Sequence, residues 1–224
     1  MQYHIQTTPI WDAFKSDCNC PLCQIYAQAE ERLVSQYLNE AVMEPDYRVK
    51  VNKLGFCTQH LRKLYAGENK LGLALQLSTR TEAVIKSLKE IKDVKTAKKQ
   101  AERIRKNDST CVICDTLDEM MERYAYTVAQ MYKQEKDFPQ LLKNCKGFCM
   151  PHYALLLENA GKAGNAASAY LFELSAFQIS ALTKTNNETL KFTEAFDYRS
   201  KSRGIKAPPD AVPNAIQRLK GKII

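Results

Sequence analysis

Apolar side chains recur at three- and four-residue intervals along two stretches of the chain: Ile25, Ala29, Leu33, Tyr37 and Ala41, then Leu117, Met121, Tyr124, Val128 and Tyr132. That spacing returns to one face of a 3.6-residue helix, so each half is predicted to carry a long amphipathic helix. Pro45 and Pro139 follow, each in a turn expected to end its helix, because proline lacks the amide donor and clashes with the preceding turn. Leu61, Leu64 and Tyr65 predict a short helix, and Leu71, Leu75, Ile85, Leu88 and Ile91 a longer one running toward residue 105. Its counterpart covers roughly 163–185, where Ala163, Ala166, Ala167, Ala169, Ala176 and Ala181 would let helices of the two halves approach closely in one core. Near the C-terminus, Ile216, Leu219, Ile223 and Ile224 predict a short helix begun at Pro213, a residue suited to a first turn. The expected class is all-α.

Composition agrees with this. Apolar residues at 45% and charged residues at 26% are a globular balance, and eight glycines and eight prolines in 224 residues are few for a turn-rich β-sandwich. A chain of this length buries a core without disulfides, so small size does not explain its eight cysteines. No apolar run reaches the roughly 18 residues that cross a bilayer, and the opening MQYHIQTTPIWDAFKSDCNC lacks the basic and apolar regions of a secretory signal. The chain therefore reads as cytoplasmic with no membrane partner. In a reducing compartment, spaced cysteines and histidines are metal ligands more often than disulfide partners.

Those residues fall into an internal repeat. Shifted by 91 residues, Lys15, Asp17, Cys20 and Cys23 coincide with Lys106, Asp108, Cys111 and Cys114. Shifted by 92, Asn52, Gly55, Phe56, Cys57 and His60 coincide with Asn144, Gly147, Phe148, Cys149 and His152, and Lys70 and Gly72 with Lys162 and Gly164. Identities concentrated on Cys, His and Gly indicate duplication. The expected organisation is a first helical repeat over 1–98, a second over 99–190 and a basic tail over 191–224. The repeats are expected to pack as one domain with pseudo-twofold symmetry.

Structural zinc takes four ligands in a tetrahedron, drawn from thiolate and imidazole, and a CxxC turn brings two thiolates to one ion. CPLC and CVIC are such turns, and each is followed, after 33 or 34 residues, by CTQH or CMPH. Each half thus offers three sulfurs and one nitrogen. Proximity in sequence assigns Cys20, Cys23, Cys57 and His60 to one zinc and Cys111, Cys114, Cys149 and His152 to the other. A swapped pairing, with the CxxC of one half and the CxxH of the other, is also compatible with the spacing. If Cys57 and Cys149 open helices, the amides and dipole there favour their thiolates, and Gly55 and Gly147 suit the tight turn before them. The run CNCPLC, with Cys18, Cys20 and Cys23, also suggests an iron–sulfur cluster. Against it, Ser109 stands at the repeat position of Cys18. Cys18 and Cys145 are the cysteines left over, and His4 lies in a segment expected to be extended and uninvolved.

The formal charge of +8 is uneven. Residues 198–224 carry seven Lys and Arg against Asp210 alone, and residues 82–106 carry nine against four acids. A docked arm and a solvated helix are the simplest expectations, and a polyanion-binding arm the alternative. Glycine-rich phosphate loops, HExxH and GxSxG are absent, and four protein ligands leave a zinc no open position for water. The leading expectation is a non-enzymatic, zinc-stabilised helical binding or adapter protein for a macromolecule, protein or nucleic acid. The alternatives are a metal- or thiol-dependent enzyme or sensor, and a nucleic-acid-binding protein using the basic helix and tail.

The motifs CPLC, NKLGFCTQH, NKLGLALQL, FDYR and VPNAIQRLKG carry a resemblance. They are similar to a family of uncharacterised bacterial proteins, mainly from Firmicutes, classed as a domain of unknown function. The resemblance spans nearly the whole chain. It implies a bacterial cytosolic protein whose cysteines and histidines recur as a set, and it carries no activity.

Overall fold

The computed structural model describes residues 7–88, 90–196 and 206–221. Regular structure in them is helical throughout: α1 (Thr7–Lys15), α2 (Pro21–Leu38), α3 (Pro45–Leu54), α4 (Thr58–Ala66), α5 (Lys70–Ser87), α6 (Val94–Asp108), α7 (Val112–Gln134), α8 (Phe138–Asn144), α9 (Met150–Glu158), α10 (Ala167–Ala195) and α11 (Ala211–Lys220). Tighter 3-10 turns cover Glu40–Val42 and Ala160–Ala166. None of the described helices is long and apolar enough to cross a membrane.

Local chemistry explains where the elements start and stop. Pro45 is the first residue of α3 and Pro139 the second of α8, so these prolines open the next helix rather than close the previous one, as their fixed φ and missing donor allow. The basic helix expected to run unbroken to about residue 105 is two helices. Leu88 turns extended after α5, and the Asp93 side chain caps α6 by accepting from the Thr96 amide at 2.8 Å. The C-terminal helix begins at Ala211, two residues before Pro213. Of the alanines expected at a close helix contact, Ala163 and Ala181 are buried, whereas Ala169 and Ala176 face solvent.

The chain forms two compact units that cut across the sequence repeats. The inserted unit is Gln28–Glu119; the outer unit combines Met1–Ala27 with Met120–Ile224. The expected boundaries at 98 and 190 fall inside these units. Each long helix that follows a CxxC rises about 1.5 Å per residue, so 18 residues of α2 carry the chain roughly 27 Å from the cysteines at its start.

The outer unit is built on aromatic and aliphatic side chains from α1, α7, α8, α9 and α10. Phe14 meets Phe138 at 5.2 Å and Phe148 at 5.9 Å between ring centroids, and Leu142, Leu156, Tyr170 and Leu174 complete the core. Buried Gln178 on α10 accepts from the Phe148 amide at 3.0 Å and donates to the Phe148 carbonyl at 2.8 Å. It satisfies both main-chain groups of the residue before Cys149, where an unpaired buried amide would be costly. The 211–220 helix packs on α10 and α9, as a docked arm does.

In the inserted unit Tyr37 is buried between Tyr47 and Phe56, with centroids 5.5 and 5.7 Å away, both edge-on. Val51, Leu64 and Leu73 are buried with it, and the Gln76 amide donates to the Tyr37 carbonyl. Two hydrogen bonds join the loop before α7 to the turn after α3: Val112 N–H to the Gly55 carbonyl at 3.0 Å, and the Thr110 hydroxyl to the Leu54 carbonyl at 2.6 Å. They bring the second CxxC to the first CxxH.

Candidate metal centres

Each CxxH is presented in the same way. Gly55 and Gly147 adopt positive φ, 69° and 120°, so the turn bends where a side chain would be strained. Cys57 and Cys149 then sit at the N-caps of α4 and α9 with extended backbone, and His60 and His152 lie in the first turn of those helices. Cys20 and Cys111 immediately precede α2 and α7, and Cys23 and Cys114 lie in the first turns.

All eight sequence-derived candidates converge, in two quartets. In the outer unit Cys20, Cys23, Cys149 and His152 have their donor atoms within 4.8 Å of one another; in the inserted unit the same holds for Cys57, His60, Cys111 and Cys114. The pairing is the swapped one. The assignment of Cys20 and Cys23 to Cys57 and His60, and of Cys111 and Cys114 to Cys149 and His152, is therefore corrected. Proximity in sequence misleads here because the hydrogen bonds from Thr110 and Val112 join motifs from different repeats.

The spacing suits a shared ion. Zinc–sulfur bonds of about 2.3 Å and zinc–nitrogen bonds of about 2.0–2.1 Å at tetrahedral angles imply S···S edges of about 3.8 Å and S···N edges of about 3.6 Å. In the outer quartet Cys149 Sγ lies 3.9 and 3.5 Å from the sulfurs of Cys20 and Cys23, and His152 Nδ1 lies 3.6, 3.4 and 3.2 Å from Cys20, Cys23 and Cys149. In the inner quartet Cys57 and Cys114 are 3.8 Å apart, and His60 Nδ1 is 3.3, 3.3 and 3.4 Å from Cys57, Cys111 and Cys114. All eight cysteines are free thiols, so no disulfide explains these approaches. Both clusters are suitable for metal binding. Each cluster offers four protein donors, the number that a tetrahedral ion takes.

Electrostatics differ between the two. Burial lowers the pKa of His60 in spite of the neighbouring Glu30 carboxylate, keeping the imidazole neutral. Its Nε2–H donates to Glu30 Oε1 at 3.2 Å, which leaves the Nδ1 lone pair directed at the sulfurs. Glu30 is itself buried and is paired at 2.6 Å with Lys63 Nζ. Burial works to raise the Cys57 thiol, but the amides of His60 and Gln59 at the start of α4 and the thiols of Cys114 and Cys111 lower it overall. Burial and the sulfurs of Cys111 and Cys57 push Cys114 up. In the outer quartet burial opposes a charged His152, yet the thiols of Cys149 and Cys20 outweigh it and push the imidazole up to about 9.

An arginine that the motifs do not reveal braces each turn. Arg80 of α5 donates through Nη1 to the carbonyls of Asn52 and Lys53, at 2.5 and 3.2 Å, with its guanidinium against Gly55. Arg218 of α11 donates to the carbonyls of Asn19 and Lys146, at 2.7 and 2.9 Å, with its guanidinium against Gly147. Arg218 thereby ties the loop before Cys20 to the turn before Cys149. It is buried, which removes one cation of the tail from any exposed basic surface.

A family model matches the chain from residue 1 to residue 224. The chain belongs to the family of unknown function DUF6062. No curated protein and no solved structure matches it. In this DUF6062 member Cys18 and Cys145 stand outside both quartets, their thiols directed to the carbonyls of Ala13 and Leu142 at 3.7 and 3.1 Å. Burial pushes the Cys145 thiol up to about 12. His4 lies outside the described residues, as do Ile223, Ile224 and the basic residues at 199, 201, 203 and 222.

Proposed function

We propose that this protein is a zinc-stabilised helical binding protein, with one structural zinc held by Cys20, Cys23, Cys149 and His152 and another by Cys57, His60, Cys111 and Cys114. The observation that carries the reading is the pair of closed quartets, each of three sulfurs and one imidazole nitrogen, with edges of tetrahedral length. Zinc fits this donor set, since tetrahedral sulfur-rich sites select it over harder cations. The zinc would supply cross-linking, not chemistry on a substrate. Matching turns at Gly55 and Gly147, and matching N-cap cysteines, support descent of the two halves by duplication. A binding role draws support from apolar side chains left in water on α10, where Phe172 is 75% and Ile179 65% exposed.

Elemental analysis of the purified chain, combined with thiol titration, tests this. Two zinc ions per chain are expected, with the six quartet thiols and buried Cys145 unreactive until a chelator and denaturant are added. One ion or none, or eight thiols titrating freely without chelation, would overturn it. A coloured, iron-containing protein would replace zinc with iron in the same donor set.

A further inference from the structure

The inserted unit holds a cavity of about 280 Å³ that neither quartet uses. Its volume is close to the lower bound, roughly 300 Å³, of small-molecule sites. Leu54, Phe56, Leu61, Val84 and Ile104 give it apolar walls, and Leu77, Leu88 and Ile104 at its surface are 39%, 49% and 50% exposed.

Gln100 of α6 is 8% exposed and lines the cavity. Its side-chain amide can donate to a group held in the cavity. Two guanidiniums line the same space. Arg80 commits only Nη1 to carbonyls, and Arg103 commits only Nη1, to the Ser87 carbonyl at 3.2 Å. The remaining N–H donors of both have no protein acceptor among the described residues. Asp108 is the one acid in the lining, which leaves the cavity with a net positive character.

The geometry points to this cavity as a binding site for a small organic carboxylate with an apolar body. The carboxylate would take charge-assisted hydrogen bonds from Arg80 and Arg103 and one from the Gln100 amide. Its hydrocarbon part would lie against Leu54, Phe56, Leu61, Val84 and Ile104. A cationic amphiphile meets two guanidiniums and is rejected; a neutral alcohol finds the apolar walls but loses the ion pairs. None of its polar groups belongs to a quartet, although Arg80 also braces the turn before Cys57.

Isothermal titration of the full chain with octanoate, octylamine and 1-octanol tests the assignment. One octanoate per chain is expected, with octylamine and 1-octanol at least tenfold weaker. Arg103→Glu is expected to weaken octanoate at least tenfold, and Ile104→Trp to fill the cavity and abolish binding, with metal content and Tm of the free variants unchanged. Should Arg103→Glu fail to fold, Gln100→Leu carries the same tenfold expectation. Undetectable octanoate binding, 1-octanol binding as tightly as octanoate, or unaltered binding by Arg103→Glu or Ile104→Trp would each overturn it.

Discussion

Removal of the Glu30 carboxylate separates the inner metal centre from the outer one. Glu30 is 5% exposed, and its two oxygens hold His60 Nε2 at 3.2 Å and Lys63 Nζ at 2.6 Å. Loss of such a partner to a metal-ligating histidine weakens metal binding about 10–100-fold, or about 1.4–2.8 kcal/mol at 1.4 kcal/mol per tenfold. Glu30→Ala belongs at the upper end, because it deletes the anion that orients the ring and leaves a void beside a buried imidazole. Lys63, with a side chain 27% exposed, can turn to water and adds little to the loss. Glu30→Gln keeps the shape and a carbonyl acceptor for Nε2–H, and should cost about tenfold or less. Competition against a chromophoric zinc chelator reads both sites in one titration. The expected result is that one of the two zinc ions leaves at 10–100-fold lower chelator concentration while the other keeps its wild-type midpoint. If both midpoints stay put, or both move together, Glu30 is not the orienting partner of His60.

Cys57→Ser should release one ion and open Cys111 and Cys114 to alkylation while Cys20 and Cys23 stay protected; mass-spectrometric mapping that found Cys20 and Cys23 modified instead would restore pairing within a repeat. In the intact protein at pH 8, iodoacetamide should modify Cys18 and spare Cys145. The Cys145 thiol, raised to about 12, ionises only as the pH climbs toward that value, so modification of folded protein at pH 8 would contradict its burial. Arg218→Ala leaves the carbonyls of Asn19 and Lys146 without this donor, at a cost of roughly 1–3 kcal/mol. Calorimetry should show a lowered Tm, with faster hydrogen exchange at the backbone of α11; unchanged exchange there would mean the arm is held by other contacts.

Much of this was written plainly in the chain. Helical periodicity located α2, α4, α7 and α10, and the cysteine and histidine spacing named all eight residues of the two clusters, because sulfur and imidazole at fixed intervals have few other uses. Pairing was illegible for a specific reason: duplication makes the two CxxC equivalent and the two CxxH equivalent, so spacing cannot distinguish the partitions. The break between α5 and α6 had a signal in Asp93 and Thr96, but the apolar positions of Leu88 and Ile91 continued the helical register across it. Glu30 carried no signal at all, since a carboxylate in a helix ordinarily faces solvent and only the tertiary position of His60 buries it. Arg80 and Arg218 were hidden in a similar way. They brace equivalent glycine turns from unrelated positions, α5 and α11, so the repeat could not reveal them.

The quartets are arranged like brackets within brackets: 57 and 60 close with 111 and 114 inside the span that 20 and 23 close with 149 and 152. A ribosome delivers the inner set complete while Cys149 is still unsynthesised. Cys23 precedes Cys149 by 126 residues, which at about 5–20 residues per second is a wait of roughly 6–25 s. Through that interval the earliest thiols stand without their eventual companions, open to oxidants and to competing ions. Vectorial synthesis thus imposes an order of assembly, inner clasp before outer, that refolding of the finished polypeptide need not follow.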